Sequence, residues 1–243
     1  MKHINAIIFG LAIVVAAGLL GNAYVERSQL PGKISVTGLG EIDFSSDLIV
    51  WEANFSTEAW ELKDAYSELN QSKEGIKAYL LGKGIPESSI VFTAVNTRKN
   101  TRTIYSDDGR YRGEEFTGYI LTQAVKIESE EVDKVELVSR EVTELLNQGI
   151  QLYSLPPRYY YSKLADLKIE LISKATEDAH SRAERIAQNS GSSLGELNNA
   201  KMGIFQITGQ NSNEDYSWGG TFNTTDREKT ASITVRLEYD LDG

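Results

Sequence analysis

Four alanines recur at every fourth position in the second half of a long stretch with helical periodicity. They are Ala175, Ala179, Ala183 and Ala187. At about 1.5 Å per residue, a helix over residues 163–189 would be roughly 40 Å long. Side chains this small let a neighbouring backbone come close, because little extends beyond the Cβ atom. The pattern therefore predicts a long helix whose second half packs tightly against another element.

The rest of the chain alternates between strand-like and helix-like periodicity. Strands are predicted over residues 33–39, 47–57, 90–105, 110–127, 150–154, 200–208 and 229–239, and two further helices over 59–81 and 135–148. Gly38 and Gly40 are expected to end the first strand as a turn or bulge, and the second strand is expected to lie antiparallel to the first. This order, ββα-ββ-αβ-α-ββ, predicts an α+β fold with an antiparallel or mixed sheet packed on long helices.

Two segments are predicted to project from the sheet. Residues 106–109 form a Ser-Asp-Asp-Gly turn between two extended runs, which predicts a long hairpin with a core inner half and a polar tip. Residues 209–226 are rich in Asn, Ser, Gly and Thr, which predicts a flexible loop. The loop is either a partly ordered connection or, with Trp218 as the anchor, a contact for a partner or another subunit.

The start of the chain predicts its destination. Residues 4–20 carry no charge, follow Lys2 and precede a small-x-small triplet that ends at Ala23. This pattern is typical of a secretory signal that is cleaved after the triplet. The run also lies near the short end of the lengths that span a bilayer, about 17 to 25 residues, so an uncleaved inner-membrane anchor is the alternative. In both cases the body of the protein is expected to be exported.

The domain organisation follows from these features. Residues 1–24 are predicted to be the signal or anchor, and residues 25–32 a linker. The ~220 residues that follow the signal or anchor are enough for one large domain or two small lobes. A single domain over 33–241 is predicted, with lobes over about 33–128 and 129–241 as the alternative.

Charge and cysteine content argue against several functions. The chain has 25 basic and 35 acidic side chains, a formal net charge of −10. Such a surface repels phosphate backbones, so nucleic acid is not expected as a partner. Anionic lipid is disfavoured as well, apart from a tether through residues 4–20. The chain has no cysteine, so its stability must come from core burial without disulfides.

The residue types that usually carry chemistry are sparse. His180 is the only histidine besides His3, and it lies between Glu177 and Glu184 at helical spacing. A solvated helix face with ordinary ion pairing is expected there in preference to a carboxylate-paired base. Gly38-x-Gly40 precedes a strand, so no phosphate loop is predicted. We therefore predict no catalytic residue, no cofactor and no metal site.

Two further motifs leave alternatives open. The acidic pairs Asp107-Asp108, Glu114-Glu115 and Glu130-Glu131 could serve as general acid and base, although solvation or helix-dipole complementarity explains adjacent carboxylates better. The run of three tyrosines at residues 159–161 is either a strand that buries alternate tyrosines or a surface that stacks on a ligand or subunit.

The order and spacing of these features resemble the SIMPL-domain family, which includes bacterial periplasmic immunogenic and oxidative-stress-defence proteins. The matching residues are Ile34-x-Val36-x-Gly38-x-Gly40, Asp47, Ala59, Gly84-Ile85, Ile90-x-x-Thr93, Tyr119, Gly149-Ile150 and, after the alanines, Gly191-x-x-Leu194-Gly195. The resemblance covers roughly residues 33–240. The chain departs from the family at Ser46, where proline is common, and in its tyrosine run.

The resemblance implies an α+β fold, export to the cell envelope and, in some members, self-assembly into rings. It implies no established catalytic residues. The leading hypothesis is a non-enzymatic periplasmic or cell-envelope protein that forms a homo-oligomer, with a role in envelope stress tolerance implied by the resemblance alone. The alternative is a periplasmic binding module for a small molecule or peptide, using the tyrosine run and the Trp218 loop. A carboxylate-dependent hydrolase is the third hypothesis.

Overall fold

The computed structural model describes residues 2–28 and 32–242. Within them, four α-helices and ten strands form the expected α+β fold. The helices are α1 (Lys2–Ser28), α2 (Leu62–Gly82), α3 (Val132–Glu141) and α4 (Leu164–Asn189). The strands are β1 (Lys33–Ser45), β2 (Leu48–Ala59), β3 (Ile90–Phe92), β4 (Asn96–Tyr105), β5 (Tyr111–Ser129), β6 (Leu152–Ser154), β7 (Arg158–Tyr160), β8 (Ser193–Met202), β9 (Gln206–Gly209) and β10 (Glu228–Asp242).

The start of the chain is helical as far as Ser28. Residues 29–31 of the predicted linker lie outside the described residues. Among the residues that are described, no helix is both long enough and apolar enough to cross a membrane.

The residues form two compact units. The first consists of the described parts of 1–41, 169–205 and 232–243, and the second of 42–168 and 206–231. Strands β1 and β10 and helix α4 contribute residues to both units. The lobe boundary near residue 128 that the sequence suggested falls inside the second unit.

The second unit is built on an antiparallel sheet of order β3-β5-β2-β6, in which β4 also pairs with β5 and β7 with β2. Strand β2 pairs with β5 from Ile49 opposite Ser129 to Ala59 opposite Tyr119. Alternate β2 residues, including Trp51 and Phe55, are buried in one core. The periodicity of the helix predicted over 59–81 puts Leu62, Ala65, Leu69, Ile76 and Leu80 on one stripe, and all of them except Leu62, which is 44% exposed, are buried in the same core. The stripe predicted over 135–148 is buried there as well: Val135, Val138, Val142 and Leu145.

In the first unit, β1 and α4 come into very close contact. All four alanines of α4 are fully buried. A Cβ atom added to Gly38 would fall on the carbonyl oxygen of Ala175 and the amide nitrogen of Ala179, and one added to Gly40 would fall on the carbonyl oxygen of Leu171. The predicted tight packing of the helix is therefore confirmed.

The same contact shows that the expected role of the two glycines was wrong. They do not end the first strand, which continues through them to Ser45. Glycine is needed there because the helix backbone occupies the space that a side chain would take. From the sequence, a glycine that makes room for a helix looks the same as a glycine that breaks a strand.

The predicted pairing of the first two strands is also wrong. Strand β1 lies beside β10 in a sheet of order β1-β10-β8, with β9 also paired to β10, whereas β2 belongs to the other sheet. The chain changes sheets at Ser46 and Asp47, whose amides donate to the carbonyls of Arg227 (2.9 Å) and Tyr160 (3.1 Å). The Asp47 carboxylate then accepts from the amide of Ser162 at 2.7 Å and from its hydroxyl at 2.6 Å. These bonds join the link to Arg227, Tyr160 and Ser162, which are far away in the sequence.

Two predicted strands are each divided in two. The strand expected over 90–105 becomes β3 and β4, because the Thr93 side chain takes a place in the ladder by accepting from the amide of Ala124 at 3.1 Å. The strand expected over 200–208 becomes β8 and β9, and Gly203 between them donates to the carbonyl of Thr234 at 2.8 Å. Met202 and Ile204, two apolar residues of the strand predicted over 200–208, are 61% and 48% exposed.

Candidate assembly surface

The predicted hairpin is confirmed as a projecting arm, the β4–β5 arm, formed by residues 96–118. Strand β5 pairs with β2 only from Tyr119 onward, so its outer part has β4 as its sheet neighbour. Every β4 side chain except that of Asn100 is exposed. An isolated two-stranded hairpin is only marginally stable in water. The arm is therefore a segment that would gain stability from being covered.

The tip of the arm is a tight turn, as its sequence predicts. The amide of Ser106 donates to the carbonyl of Arg110 at 2.9 Å, and the amide of Gly109 donates to the carbonyl of Ser106 at 2.8 Å. Gly109 has a φ of +78°, which glycine adopts at little cost. The Ser106 hydroxyl also donates to the Asp108 carboxylate.

The root of the arm is fixed by aromatic contacts. The ring of Phe116 lies 5.3 Å from that of Trp60 and 5.2 Å from that of Tyr119, both in tilted edge-on arrangements. Gly118 has a φ of +135°, and an added Cβ would lie 2.5 Å from the carbonyl oxygen of Ala59. The direction in which the arm leaves the sheet is therefore set by packing at its base.

The outer edge of β4 is open and basic. No described strand pairs with that edge, so its backbone amides and carbonyls can pair with another chain. Strand β4 carries Arg98, Lys99 and Arg102 and no acidic residue, although the chain as a whole has a net charge of −10. Arg102 pairs with Glu115 at 2.6 Å, whereas Arg98 and Lys99 form no ion pair with any described residue.

A second exposed feature is the tryptophan loop, residues 209–226, which connects β9 and β10. Its Trp218 side chain is 96% exposed. The loop carries Glu214, Asp215 and Asp226 and no basic residue. It is therefore an acidic segment with a large aromatic side chain in solvent.

Side-chain hydrogen bonds brace this loop, which its composition had suggested would be flexible. The Gln206 side-chain carbonyl accepts from the amide of Thr221 at 2.7 Å, and its amide group donates to the carbonyl of Ser217 at 2.9 Å. Asn223 donates to Glu214 at 2.7 Å and to Asp226 at 2.8 Å. The loop therefore holds Trp218 on an internally bonded frame.

Lys229, at the start of β10, is buried beside this frame. Its ammonium group donates to the carbonyl of Tyr159 at 2.5 Å. Burial lowers the pKa of Lys229 to about 8, and the negative charges of Asp226 and Glu214 oppose that shift. The sequence did contain a signal for this lysine, because residue 229 is in phase with the buried residues 231, 233, 235 and 237 of β10.

The tyrosine run, residues 159–161, lies at the end of β7 and directly after it. Tyr159 is buried on β7 opposite Ile49, and burial raises the pKa of its hydroxyl. The ring of Tyr161 lies 4.8 Å from the ring of Phe44. The interpretation as a strand that buries alternate tyrosines therefore holds for Tyr159, while Tyr161 is only half-buried.

The residues considered as candidates for catalysis or metal binding, His180 and the three acidic pairs, do not form one cluster in the described part of the chain. His180 is exposed on α4, as expected for a solvated helix face, and its ring nitrogen Nδ1 lies 3.1 Å from the Tyr239 hydroxyl. Among the described residues, neither Glu177 nor Glu184 forms an ion pair with it, so the carboxylate-paired alternative has no support there. Of the acidic pairs, Asp108 lies 3.4 Å from Arg110, Glu115 lies 2.6 Å from Arg102 and Glu131 lies 2.6 Å from Lys134. Within residues 2–28 and 32–242, no cluster of His and carboxylates could hold a metal ion.

The extent of the domain is given by comparison with protein families. The SIMPL family, described as a protein of unknown function (DUF541), matches residues 34–239. This chain belongs to the SIMPL family. The matched SIMPL domain runs from β1 to β10 and includes the β4–β5 arm and the tryptophan loop. A comparison with curated proteins finds no match.

Proposed function

We propose that this SIMPL-domain protein is a non-enzymatic cell-envelope protein whose working form is an assembly of identical chains. The observation that carries the proposal is the β4–β5 arm, which is solvated on both faces and open along one edge. Proteins usually shorten or cover such edges because they pair readily with other chains. A ten-residue open strand is long enough to form a sheet with a second molecule.

The proposed location is the periplasm, with the protein either released after signal cleavage or held at the inner membrane by its N-terminal segment. The charge-free run over residues 4–20 behind Lys2 supports export. A role in envelope stress tolerance is supported by the family resemblance alone.

The ion pairs of the acidic residues support a non-enzymatic role. A general acid and base must both reach a substrate. The Asp107-Asp108 and Glu114-Glu115 pairs lie on the arm, and one member of each contacts a basic side chain of the same arm. These contacts explain the pairs without catalysis.

Assembly can be tested on protein recovered from the native envelope and on purified residues 24–243. Intact mass gives the processing, and light scattering after size-exclusion chromatography gives the number of subunits. We expect a multimer in both samples. A strictly monomeric particle at high concentration would contradict the proposal.

A shortened arm provides the matched variant. Residues 103–114 are replaced by Asn-Gly, which joins Arg102 to Glu115, its partner across the ladder. The aromatic root at Phe116 stays in place. We expect cooperative unfolding to be retained and the multimer to be lost, whereas a variant that assembles like the parent would show that residues 103–114 are not part of the contact.

A specific observation also favours a binding module as the second candidate function. A cleft of 710 Å³ beside the end of the tyrosine run is lined by Ser46, Asp47, Lys163 and Arg227, among others. Its volume lies in the range of small-molecule sites, about 300–1,000 Å³. The Ser46 hydroxyl is buried and has no hydrogen-bond partner among the described residues.

Calorimetry with free amino acids and dipeptides tests this candidate. Ser46→Ala should weaken binding without loss of stability, because it removes a buried polar group that has no partner. Ser45→Ala is the matched control, since the Ser45 hydroxyl already donates to Glu228 at 2.7 Å. Absence of heat from every probe would remove the candidate.

A further inference from the structure

We propose that the tryptophan loop of one copy docks on the open edge of β4 in another copy. Each chain then contributes its arm to one contact and its loop to a second. This inference rests on the proposed function, because it names the two surfaces that would join the copies. Both surfaces belong to the second compact unit of the chain.

Charge is the first argument for this pairing. The β4 edge has three basic residues and no acidic one, and the tryptophan loop has three acidic residues and no basic one. Two β4 edges would repel each other, as would two loops. Pairing an arm with a loop removes both repulsions and sets opposite charges together.

Side-chain chemistry is the second argument. Trp218 is 96% exposed, and tryptophan and arginine are the residues that most often dominate contact energies. Arg98 and Lys99 form no ion pair with any described residue, so they are able to lie over an indole ring as cations. The exposed carboxylate of Asp215 can accept two hydrogen bonds from a guanidinium group.

Preorganisation is the third argument. The hydrogen bonds of Gln206 and Asn223 hold the loop before any partner arrives. A surface that is already ordered loses less conformational entropy on binding. The aromatic contacts of Phe116 likewise order the base of the arm before a partner binds.

The pairing limits the form of the assembly. If two copies exchange arm and loop reciprocally, the contact closes as a dimer. If each arm meets the loop of a third copy, the contact is head-to-tail and gives a larger ring or a filament. The stoichiometry of the parent protein separates these two forms.

Two variants of the full-length chain test the docking. The arm variant carries Arg98→Glu and Lys99→Glu and keeps its loop. The loop variant carries Asp215→Arg and Trp218→Ser and keeps its arm. A control with Lys63→Glu and Lys174→Glu changes two exposed lysines outside both surfaces, with the same change in net charge as the arm variant.

Light scattering is measured on each variant alone and on their mixture. We expect each variant alone to dissociate, with association weakened by about 30-fold or more, the factor expected for loss of an interface hot spot. The mixture contains one intact loop and one intact arm and should form one-to-one heterodimers that do not grow further. The control should assemble like the parent.

The other outcomes separate the two proposals. If the parent assembles and both variants assemble equally well, the docking is wrong while the proposed function stands. If the variants dissociate but their mixture stays monomeric, loops do not meet arms and the docking is again wrong. A parent that is monomeric at every concentration would overturn the proposed function itself.

Discussion

The contact of β1 with α4 and the β4–β5 arm use extended backbone in opposite ways. At the first contact, Gly38 and Gly40 leave no room for a side chain, because the helix backbone lies directly against them. Along β4, all side chains but one are exposed, and one edge of the strand is open. Strand structure is therefore compatible with both a closely packed and an open environment, and side-chain size and charge indicate which one applies.

The largest expected effect comes from filling the tight contact. Gly38→Ala places a methyl group on the backbone of α4, so either the strand or the helix must move. We expect the free energy of unfolding to fall by about 3 kcal/mol or more, at the upper end of overpacking costs. Urea unfolding followed by circular dichroism measures it. Gly82→Ala is the control, because an added Cβ there meets nothing within 4 Å; equal stability of the two variants would show that the contact is not tight.

A smaller loss is expected at the root of the arm. Gly118→Ala forces a non-glycine residue to a φ of +135° and brings its methyl group against the carbonyl of Ala59. Backbone strain of this kind costs about 1–3 kcal/mol. The same unfolding experiment applies, with Gly219→Ala as the control, where the nearest atom to an added Cβ is 4.0 Å away. A variant as stable as the parent would mean that the arm root tolerates side chains.

The ammonium group of Lys229 is buried, unlike the exposed charges of the arm, and it should make the free energy of unfolding depend on pH. The pKa of Lys229 is about 8 when folded and has an ordinary value of 10.5, so between these values the unfolded chain binds more protons. Stability therefore rises with pH in that window, by about 2 kcal/mol from near pH 7.5 to 9.5. Below the window the cost of burying the charge is constant.

The comparison of Lys229→Met with the parent isolates this effect. The difference in unfolding free energy between them should be constant below pH 8 and should change in favour of the parent above it. Lys63→Met is the control, because that lysine is exposed on α2 and lies outside both proposed docking surfaces. Parallel pH profiles for Lys229→Met and the parent would show that the amine is not held in a buried environment.

The smallest effect is expected on the arm itself. Arg102 and Glu115 lie 2.6 Å apart with side chains that are 73% and 50% exposed. Exposed pairs of this kind contribute about 0–1 kcal/mol. Arg102→Ala and Glu115→Ala should each change stability by less than about 0.5 kcal/mol. A loss as large as that of Gly118→Ala would mean that the arm is part of the folded core.

Much of the fold could be predicted because local periodicity reports which face of an element is buried. The stripe of α2 apart from Leu62, the alanines of α4 and the turn at Gly109 all lie where the sequence placed them. Each of these features depends on residues that are close in sequence. The segments of the candidate site, the arm and the tryptophan loop, were visible for the same reason.

The errors concern contacts between distant residues. The sequence could not show that Gly38 meets Ala175, because that contact joins segments far apart in the chain. The same applies to the pairing of β1 with β10 and to the division of the strand at Thr93. Lys229 is a different case, since its phase on β10 gave a local signal that pointed to burial.

The sequence by itself determined the helices, most of the strands and the sparsity of reactive groups. These follow from patterns of size, charge and polarity over a few neighbouring residues. Only the tertiary structure decided which strands share a sheet, which glycines make room for a helix and which lysine is buried. Those outcomes depend on which distant backbones come together, and that is set by the packing of the whole chain.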